Sequence, residues 1–410
     1  MTLSADKRPR PVDVAIVGGG IIGLAVARAL QGRSPGLNVT VLEAEGDVCR
    51  HQTGHNSGVI HSGLYYAPGS LKAVLAVRGA AQMHRFCEEQ GLEVRRCGKV
   101  VVATSELEEA RLVTLLERGV ANGVQGLERV GPERLAELQP GVRGTAALWV
   151  PGAAITDFSA IGRRLAQRVK DHGGQVRTGA RVTGLVREGA EWIVQSTAGE
   201  LRATYLVGCA GLQSDRLAKS AGRRLAVRIV PFRGEYRTLA PARAQTIARL
   251  VYPVPDPELP FLGVHLTPRL DGQVEVGPNA VLALSRHGYR RGDFSLRDTL
   301  QTLAWPGFWR MSWRHLRAGI AEEGRSWLRG WTAHDLRRML PEVEAADLLP
   351  GGAGVRAQAL RRDGAMVDDF ELSEDEAALH VLNAPSPAAT ASLAIGDEVA
   401  GRVLAAMPKR

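Results

Sequence analysis

The chain has 410 residues, 45% of them hydrophobic, and its 52 basic against 43 acidic residues leave a formal net charge of +9. This length predicts two domains, each with its own core, and no apolar run reaches the roughly 18 residues of a membrane-spanning helix. The basic excess raises nucleic-acid binding first. However, the arginines are scattered and no recognised nucleic-acid motif appears, so attraction to acidic ligands or lipid is the favoured reading.

The segment from Met1 to Pro11 is polar, without the apolar stretch of a secretory signal. Cys49, Cys87, Cys97 and Cys209 form no C-x-x-C pair and no metal-ligand spacing, which fits a reduced cytoplasm. The first structured stretch runs Val12-Asp-Val-Ala-Ile-Val17, Gly18-Gly-Gly20-Ile-Ile-Gly23, Leu24 to Leu30, and closes on Val39-Thr-Val-Leu-Glu43. It reads strand, glycine turn, helix, strand, acid: the βαβ pattern of dinucleotide binding. Gly18 allows the tight turn, Gly20 lets the backbone approach a pyrophosphate, and Gly23 lets the helix pack closely. The helix start offers free N–H groups and the positive end of its dipole. Glu43 is placed to accept hydrogen bonds from a ribose diol.

The stretch from Cys49 to Tyr66 is dense in Gly, Asn, Ser and His and predicts a functional loop packed along the same ligand. Helices are expected at Ser70–Gln90, stopped by Gly91, and at Glu106–Asn122, with a strand pair around Glu93–Ala103 between them. Trp149–Asp157 reads as a turn-rich link and Phe158–His172 as a helix stopped by Gly173-Gly174. Strands follow at Gln175–Val186, Trp192–Thr197 and Leu201–Val207. The last leads through Gly208-Cys-Ala-Gly211 into a helix, a second close approach to the ligand. Pro231–Val281 alternates like an antiparallel sheet. Phe294–Met339 reads as helical and holds Trp305, Trp309, Trp313, Trp327 and Trp331, five of the seven tryptophans. Strands at Gly354–Leu360 and Leu379–Leu382 precede a terminal helix, with Ser386 fitting its N-cap and Pro387 its first position.

Several long pieces resemble the L-2-hydroxyglutarate oxidases and dehydrogenases. They are Gln52-Thr-Gly-His-Asn-Ser-Gly-Val-Ile-His-Ser-Gly-Leu-Tyr-Tyr66, Pro68-Gly-Ser-Leu-Lys-Ala73, Cys97-Gly-Lys99, Pro231-Phe-Arg-Gly-Glu-Tyr236, Val276-Gly-Pro-Asn-Ala280 and Asn383–Gly396. The resemblance covers nearly the whole chain and implies a mixed α/β and α+β fold. A Rossmann-like FAD-binding domain, assembled from residues 1–90, 151–220 and 346–410, accompanies an antiparallel-sheet substrate domain from 91–150 and 221–345. The latter includes a Trp/Arg-rich helical segment at about 295–340. The single phosphate fingerprint agrees with FAD and an electron acceptor other than nicotinamide. The implied cofactor contacts are Gly18, Gly19, Gly20, Ile22, Gly23, Glu43 and Ala44, then Thr53, Asn56, Ser57 and Gly58. They continue through Val182, Ala210, Gly211 and Gly354 to Pro387, Ala388, Ala389 and Thr390, where the terminal helix start faces the flavin and its dipole stabilises negative charge there.

Oxidising a 2-hydroxy acid requires a base for the hydroxyl proton and cations for the carboxylates. The resemblance implies Arg356 as the carboxylate clamp, a task that suits a guanidinium fork. Tyr65, Lys72, Arg233, Tyr236 and Arg269 are further substrate-binding candidates. His61 and His265 compete as base, whereas His51 and His55 suit loop structure or flavin contacts. Asp368-Asp369 reads as a solvated turn, and no metal is expected. Readings left open are an amino-acid or glycerol-3-phosphate substrate on the same fold, and a basic flavoprotein acting on tRNA. In one helical register Trp309, Trp313, Leu316 and Ile320 form an apolar stripe beside Arg310, Arg314 and Arg317. That pattern predicts either an amphipathic helix packed on the substrate domain, with its arginines in water, or peripheral contact with the inner face of the cytoplasmic membrane. The membrane reading goes with quinone as acceptor, and oxygen is the alternative.

Overall fold

The computed structural model describes residues 10–257 and 262–407, so most of the Met1–Pro11 segment lies outside the described residues. Strand β1 (Val12–Val17) turns into helix α1 (Ile21–Arg33), followed by β2 (Val39–Leu42). The glycine-rich loop contains a two-residue strand, β3 (Val59–Ile60), before α2 (Leu71–Gln90). Next come β4 (Val94–Arg95), β5 (Lys99–Ala103), α3 (Glu106–Ala121), β6 (Glu128–Val130) and α4 (Pro132–Leu138). β7 (Ala146–Val150) and β8 (Ala154–Thr156) lead to α5 (Phe158–Asp171). β9 (Gln175–Arg177), β10 (Val182–Glu188), β11 (Glu191–Ser196), β12 (Gly199–Gly208) and α6 (Ser214–Ser220) follow. The middle of the chain forms β13 (Val227–Leu239), α7 (Pro241–Ala244), β14 (Leu250–Pro253), β15 (His265–Pro268), β16 (Val274–Gly277) and β17 (Val281–Leu282). Helices α8 (Leu296–Leu303), α9 (Pro306–Arg314), α10 (Leu316–Trp327) and α11 (Arg329–Arg337) come next. The chain closes with β18 (Leu348–Arg361), β19 (Glu371–Glu374), β20 (Ala378–Asn383) and α12 (Ala388–Ala406).

The first sheet runs β10-β11-β12-β1-β2-β9, with β20 parallel to the far end of β12 and β19 beside β20. Its central strands are parallel and buried, and β2 has no exposed residue. That burial explains their near-continuous apolar sequence. Helices α1, α2, α5 and α12 share a core with these strands, built around Leu24, Leu30, Ile161 and Val399. Gly396 lies against Ala25 and Gly79 against Ala391, so missing side chains let α12 approach both α1 and α2 closely. A second sheet runs β17-β13-β16-β15-β14-β5-β7-β6, with β18 along the other side of β13. It is antiparallel except for the β5–β14 pair. One of its faces packs under α4 and α11, and the other carries Tyr252 and the loop residue Leu64. A small sheet, β3-β8-β4, sits between the two. The Arg286 guanidinium, 2% exposed, bolts α6 to β13: it donates to both Asp215 oxygens and to the carbonyls of Leu212 and Ile229.

Several expectations need correction. The strands of Glu93–Ala103 do not pair with each other, because β4 joins the small sheet and β5 the second. Trp149–Asp157 is no mere link, since the Pro151-Gly152 turn separates the ends of two strands. Gln175–Val186 divides into β9, which extends the β2 edge in parallel, and β10 on the opposite side of the sheet. Residues 348–361, expected with the cofactor-binding segments, run in the second sheet, where the long β13–β18 ladder holds them. Strand β19 was not anticipated. The terminal helix starts at Ala388, one residue late, with Pro387 in its N-cap at φ −104° and no side-chain cap. The Trp-rich segment is four short helices. His315, at φ −112°, breaks the register between Trp313 and Leu316. No helix of the described residues is long and apolar enough to cross a membrane.

Candidate active site

The cradle begins at the β1–α1 turn. Gly18 has φ +116°, and a Cβ there would overlap the Cys209 carbonyl, so the two glycine turns touch back to back. A Cβ on Gly23 would overlap the Gly18 carbonyl. Helix α1 has Gly20 as its N-cap, no side-chain capping bond and no acid in its first turn. Its dipole end is therefore left for a ligand anion. Glu43 is buried, its carboxylate accepting from the Gly19 N–H at 2.7 Å and the Glu45 N–H at 2.9 Å. Ala44 follows it, and the Ala180 N–H meets the Glu43 carbonyl just ahead of Val182.

The loop then closes over the turn. Thr53 Oγ1 accepts the Ile21 N–H at 3.1 Å, one residue before Ile22. Asn56 donates to the carbonyls of Gln52 and Thr53 and accepts from Gly58 N–H, locking the loop. Gly58, at φ +70°, lies on the Thr156 carbonyl. Gln52 Oε1 approaches Gly211, beside Ala210, and the His55 carbonyl abuts Gly354. Thr390 Oγ1, in the first turn of α12 beside Ala388 and Ala389, accepts the His61 N–H at 3.1 Å and donates to the Val59 carbonyl at 3.2 Å. These contacts join residues 18–23, Glu43, residues 52–58, Gly211, Gly354 and Thr390 into one belt. Two helix starts with no acid and no N-cap side-chain bond, stacked glycines and a carboxylate just after β2 suit the pyrophosphate, ribose and ring system of a flavin dinucleotide.

The belt meets the second sheet at the remaining candidates. His265 is buried on β15, its ring stacked on Tyr252 with centroids 4.1 Å apart. Its Nδ1 lies 2.8 Å from the Gly263 carbonyl. A carbonyl can only accept, so Nδ1 carries the proton and Nε2 presents a lone pair. Burial pulls its pKa down to about 4, aided by the charges of Arg356 and Lys99. His61 is pulled down to about 3 by burial and by Lys99, His265 and Lys72, and its Nδ1 has no hydrogen-bond partner. Both imidazoles are neutral at pH 7.

Arg356 donates to the Asn279 carbonyl at 3.1 Å, and its guanidinium passes over Gly234, where a side chain would collide with it. Tyr236 is pushed up to about 12 by burial and shares a hydrogen bond with Ser57. Lys72 pairs with Asp368 at 2.9 Å, Arg233 with Glu235 at 2.9 Å, and Arg269 with Glu275 at 2.9 Å. Of the two acids, Asp368 is solvated as expected, 95% exposed even while paired to Lys72, whereas Asp369 accepts the first N–H groups of α2. His51 bonds Tyr289 and Glu45, and His55 stacks on Tyr289 at 4.1 Å, so both serve loop structure.

Sequence reasoning missed Lys99. It opens the apolar strand Lys99-Val-Val-Val-Ala103 and is 1% exposed. Its ammonium lies 4.4 Å from the Tyr65 ring centroid and 5.2 Å from that of Tyr252, and burial lowers its pKa to about 7. The signal was there: a lysine abutting an apolar run on a buried strand is an anomaly. Tyr252 was missed because it belongs to no charged or glycine-rich pattern, and Asn279 because the Val276–Ala280 piece carries no charge to single it out.

This fold and belt define a flavin-dependent oxidoreductase, and comparison with known proteins agrees. The family model described as FAD dependent oxidoreductase matches residues 13–402. The L-2-hydroxyglutarate dehydrogenase of Indibacter alkaliphilus is 44% identical over 94% of this chain and 97% of its own length. The human mitochondrial L-2-hydroxyglutarate dehydrogenase is 43% identical over 97% of this chain and 92% of its own. Among solved structures, FAD-bound L-alpha-glycerophosphate oxidase from Mycoplasma pneumoniae superposes with a TM-score of 0.77 at 24% identity, covering 97% of this chain and 95% of that one, a likeness of fold. The chain belongs to the FAD-dependent oxidoreductases, in the family of the L-2-hydroxyglutarate dehydrogenases.

Proposed function

We propose that this chain oxidises L-2-hydroxyglutarate to 2-oxoglutarate with FAD as its cofactor. The observation that carries the reading is a tautomer-fixed imidazole, His265, near enough to the Arg356 guanidinium to feel its charge, at the edge of the flavin belt. A 2-hydroxy acid needs those two groups, a proton acceptor for its hydroxyl and a fork for its carboxylate. Bound FAD supplies the two-electron acceptor for the C2 hydrogen. Arg356 holds the carboxylate and so fixes the C2 position, while His265 Nε2 takes the hydroxyl proton. An arriving anion offsets the Arg356 and Lys99 charges that depress the imidazole, so substrate raises the basicity of its own base. The α12 N-terminus, free of side-chain caps and acids, favours negative charge at the ring end of the belt. The test is anaerobic mixing while flavin absorbance is followed. Bleaching by the L enantiomer and not the D is expected. Bleaching by glycerol-3-phosphate or an amino acid instead overturns the substrate.

Quinone is the proposed acceptor, reached from a membrane surface, with oxygen the competing one. Trp309, Trp313, Ile320 and Trp327 are 58%, 81%, 60% and 67% exposed, so these side chains are not core. Arg310, Arg314 and Arg317 share their segment, and indoles edged with arginine suit an anionic lipid surface. A cleft of about 470 Å³ runs from Tyr236 and Asn279 to Ser326 and Thr332, close to these helices. Wild type is expected to sediment with anionic liposomes at low salt, and a Trp309→Ser/Trp313→Ser double variant is not. Equal behaviour of the two rejects the membrane face.

A further inference from the structure

The cations around the site differ in one respect. Lys72, Arg233 and Arg269 each have a carboxylate of this chain within 3 Å. Lys99 makes no ion pair among the described residues, although it is the most deeply buried of the four. An isolated ammonium inside a protein is costly and is kept where an anion arrives to meet it. Beside it lies a second unmet group: the Tyr65 hydroxyl is buried with no hydrogen-bond partner, while the Lys99 ammonium sits over the Tyr65 ring. One carboxylate would satisfy both donors.

The topology gives that carboxylate a direction. Across the second sheet the order β5-β14-β15-β16-β13-β18 places Lys99 at one end, His265 in the middle and Arg356 at the other end. His265 feels the charges of both Lys99 and Arg356. We infer that Lys99 Nζ, with the Tyr65 hydroxyl, seats the distal carboxylate of the substrate and makes the enzyme selective for 2-hydroxy dicarboxylates. The inference rests on the proposed oxidation of L-2-hydroxyglutarate. The diacid then lies across the strands, its 1-carboxylate at Arg356, its hydroxyl over His265 and its far end at Lys99. Lys99 acts by holding one end of the substrate and takes no proton.

The experiment compares the wild-type holoenzyme with Lys99→Met and Tyr65→Phe. Each is given L-2-hydroxyglutarate and L-2-hydroxypentanoate, which has a methyl where the distal carboxylate would be. Methionine fills the space without burying a charge, and flavin absorbance checks cofactor content. For Lys99→Met, KM for the diacid is expected to rise roughly 10- to 150-fold with kcat little changed, while the monoacid is oxidised no worse than before. Tyr65→Phe should raise the diacid KM by roughly 3- to 10-fold, again sparing the monoacid. An unchanged KM for the diacid in both variants overturns the seat. So does an equal fall in kcat with both substrates, the signature of a lost base. If the wild type oxidises the monoacid and not the diacid, the dicarboxylate reading of the whole site fails, a result separable from failure of Lys99 alone.

Discussion

The two large sheets handle charge in opposite ways. The first offers mostly backbone at its belt: glycine turns, helix starts without N-cap side chains and amide groups, with Glu43 its one carboxylate. The second carries its candidate groups as side chains: Lys99 and Arg233 are buried and Arg356 half-buried. A backbone site depends on the absence of side chains, so almost any addition destroys it. A side-chain site depends on particular groups, so conservative changes grade its strength.

The largest expected effect tests the first half of that contrast. Gly23→Val would drive a side chain into the Gly18 carbonyl and against Cys209. Purified variant protein should contain no FAD, and retention of flavin would show that the turn can yield. His265→Asn comes next: its amide can still donate to the Gly263 carbonyl but cannot take a proton. Turnover should fall by roughly 10²- to 10⁴-fold with FAD retained, and unchanged turnover would pass the role of base to His61. Arg356→Lys keeps the charge and loses the fork, so KM should rise with a loss of about 1–3 kcal/mol in binding. An unaltered KM would show that Arg356 does not touch substrate.

The subtlest test, read as a difference of slopes, compares the sheets by pH. His265 in the second and His380 in the first are both buried, and burial lowers each to about 4. The unfolded chain binds protons near pH 6.5 that the folded one refuses, so stability is full above that pH and lost as pH falls toward 4. Each imidazole contributes up to about 1.4 kcal/mol per pH unit inside that window. Melting temperature should therefore decline through it, less steeply in His265→Asn. Equal slopes would show that His265 protonates freely in the native state.

The βαβ start of the first sheet was legible because its signals are local, whereas the places of β9, β10 and β19 in that sheet were not. The run from Val12 to Glu43 contains its own turn, helix and acid, and α2 carried its Ser70 cap and Gly91 stop within the segment. The second sheet hid its order, since strands from residues 99–150, 227–282 and 348–361 pair across long separations. Periodicity marks a strand and says nothing of which neighbour it finds. The same limit concealed Lys99, whose meaning comes from Tyr65 and Tyr252 on other elements. It also divided the tryptophans: Trp305 donates to the Leu360 carbonyl in the core, while Trp313 faces outward, and spacing alone gave both the same weight.

The place of β1 has a consequence in time. The dinucleotide turn leaves the ribosome long before residues Ala203–Gly208, yet β1 lies between β2 and β12 and needs those residues as partners. Helix α12, which packs on α1 and ties Thr390 to the His61 loop, is made later still. At roughly 5–20 residues per second, the nascent turn waits tens of seconds without a sheet to brace it. The belt is complete only once α12 has been made, and an early stop codon that removes it would leave a translation product with an intact fingerprint and no α12 to close it.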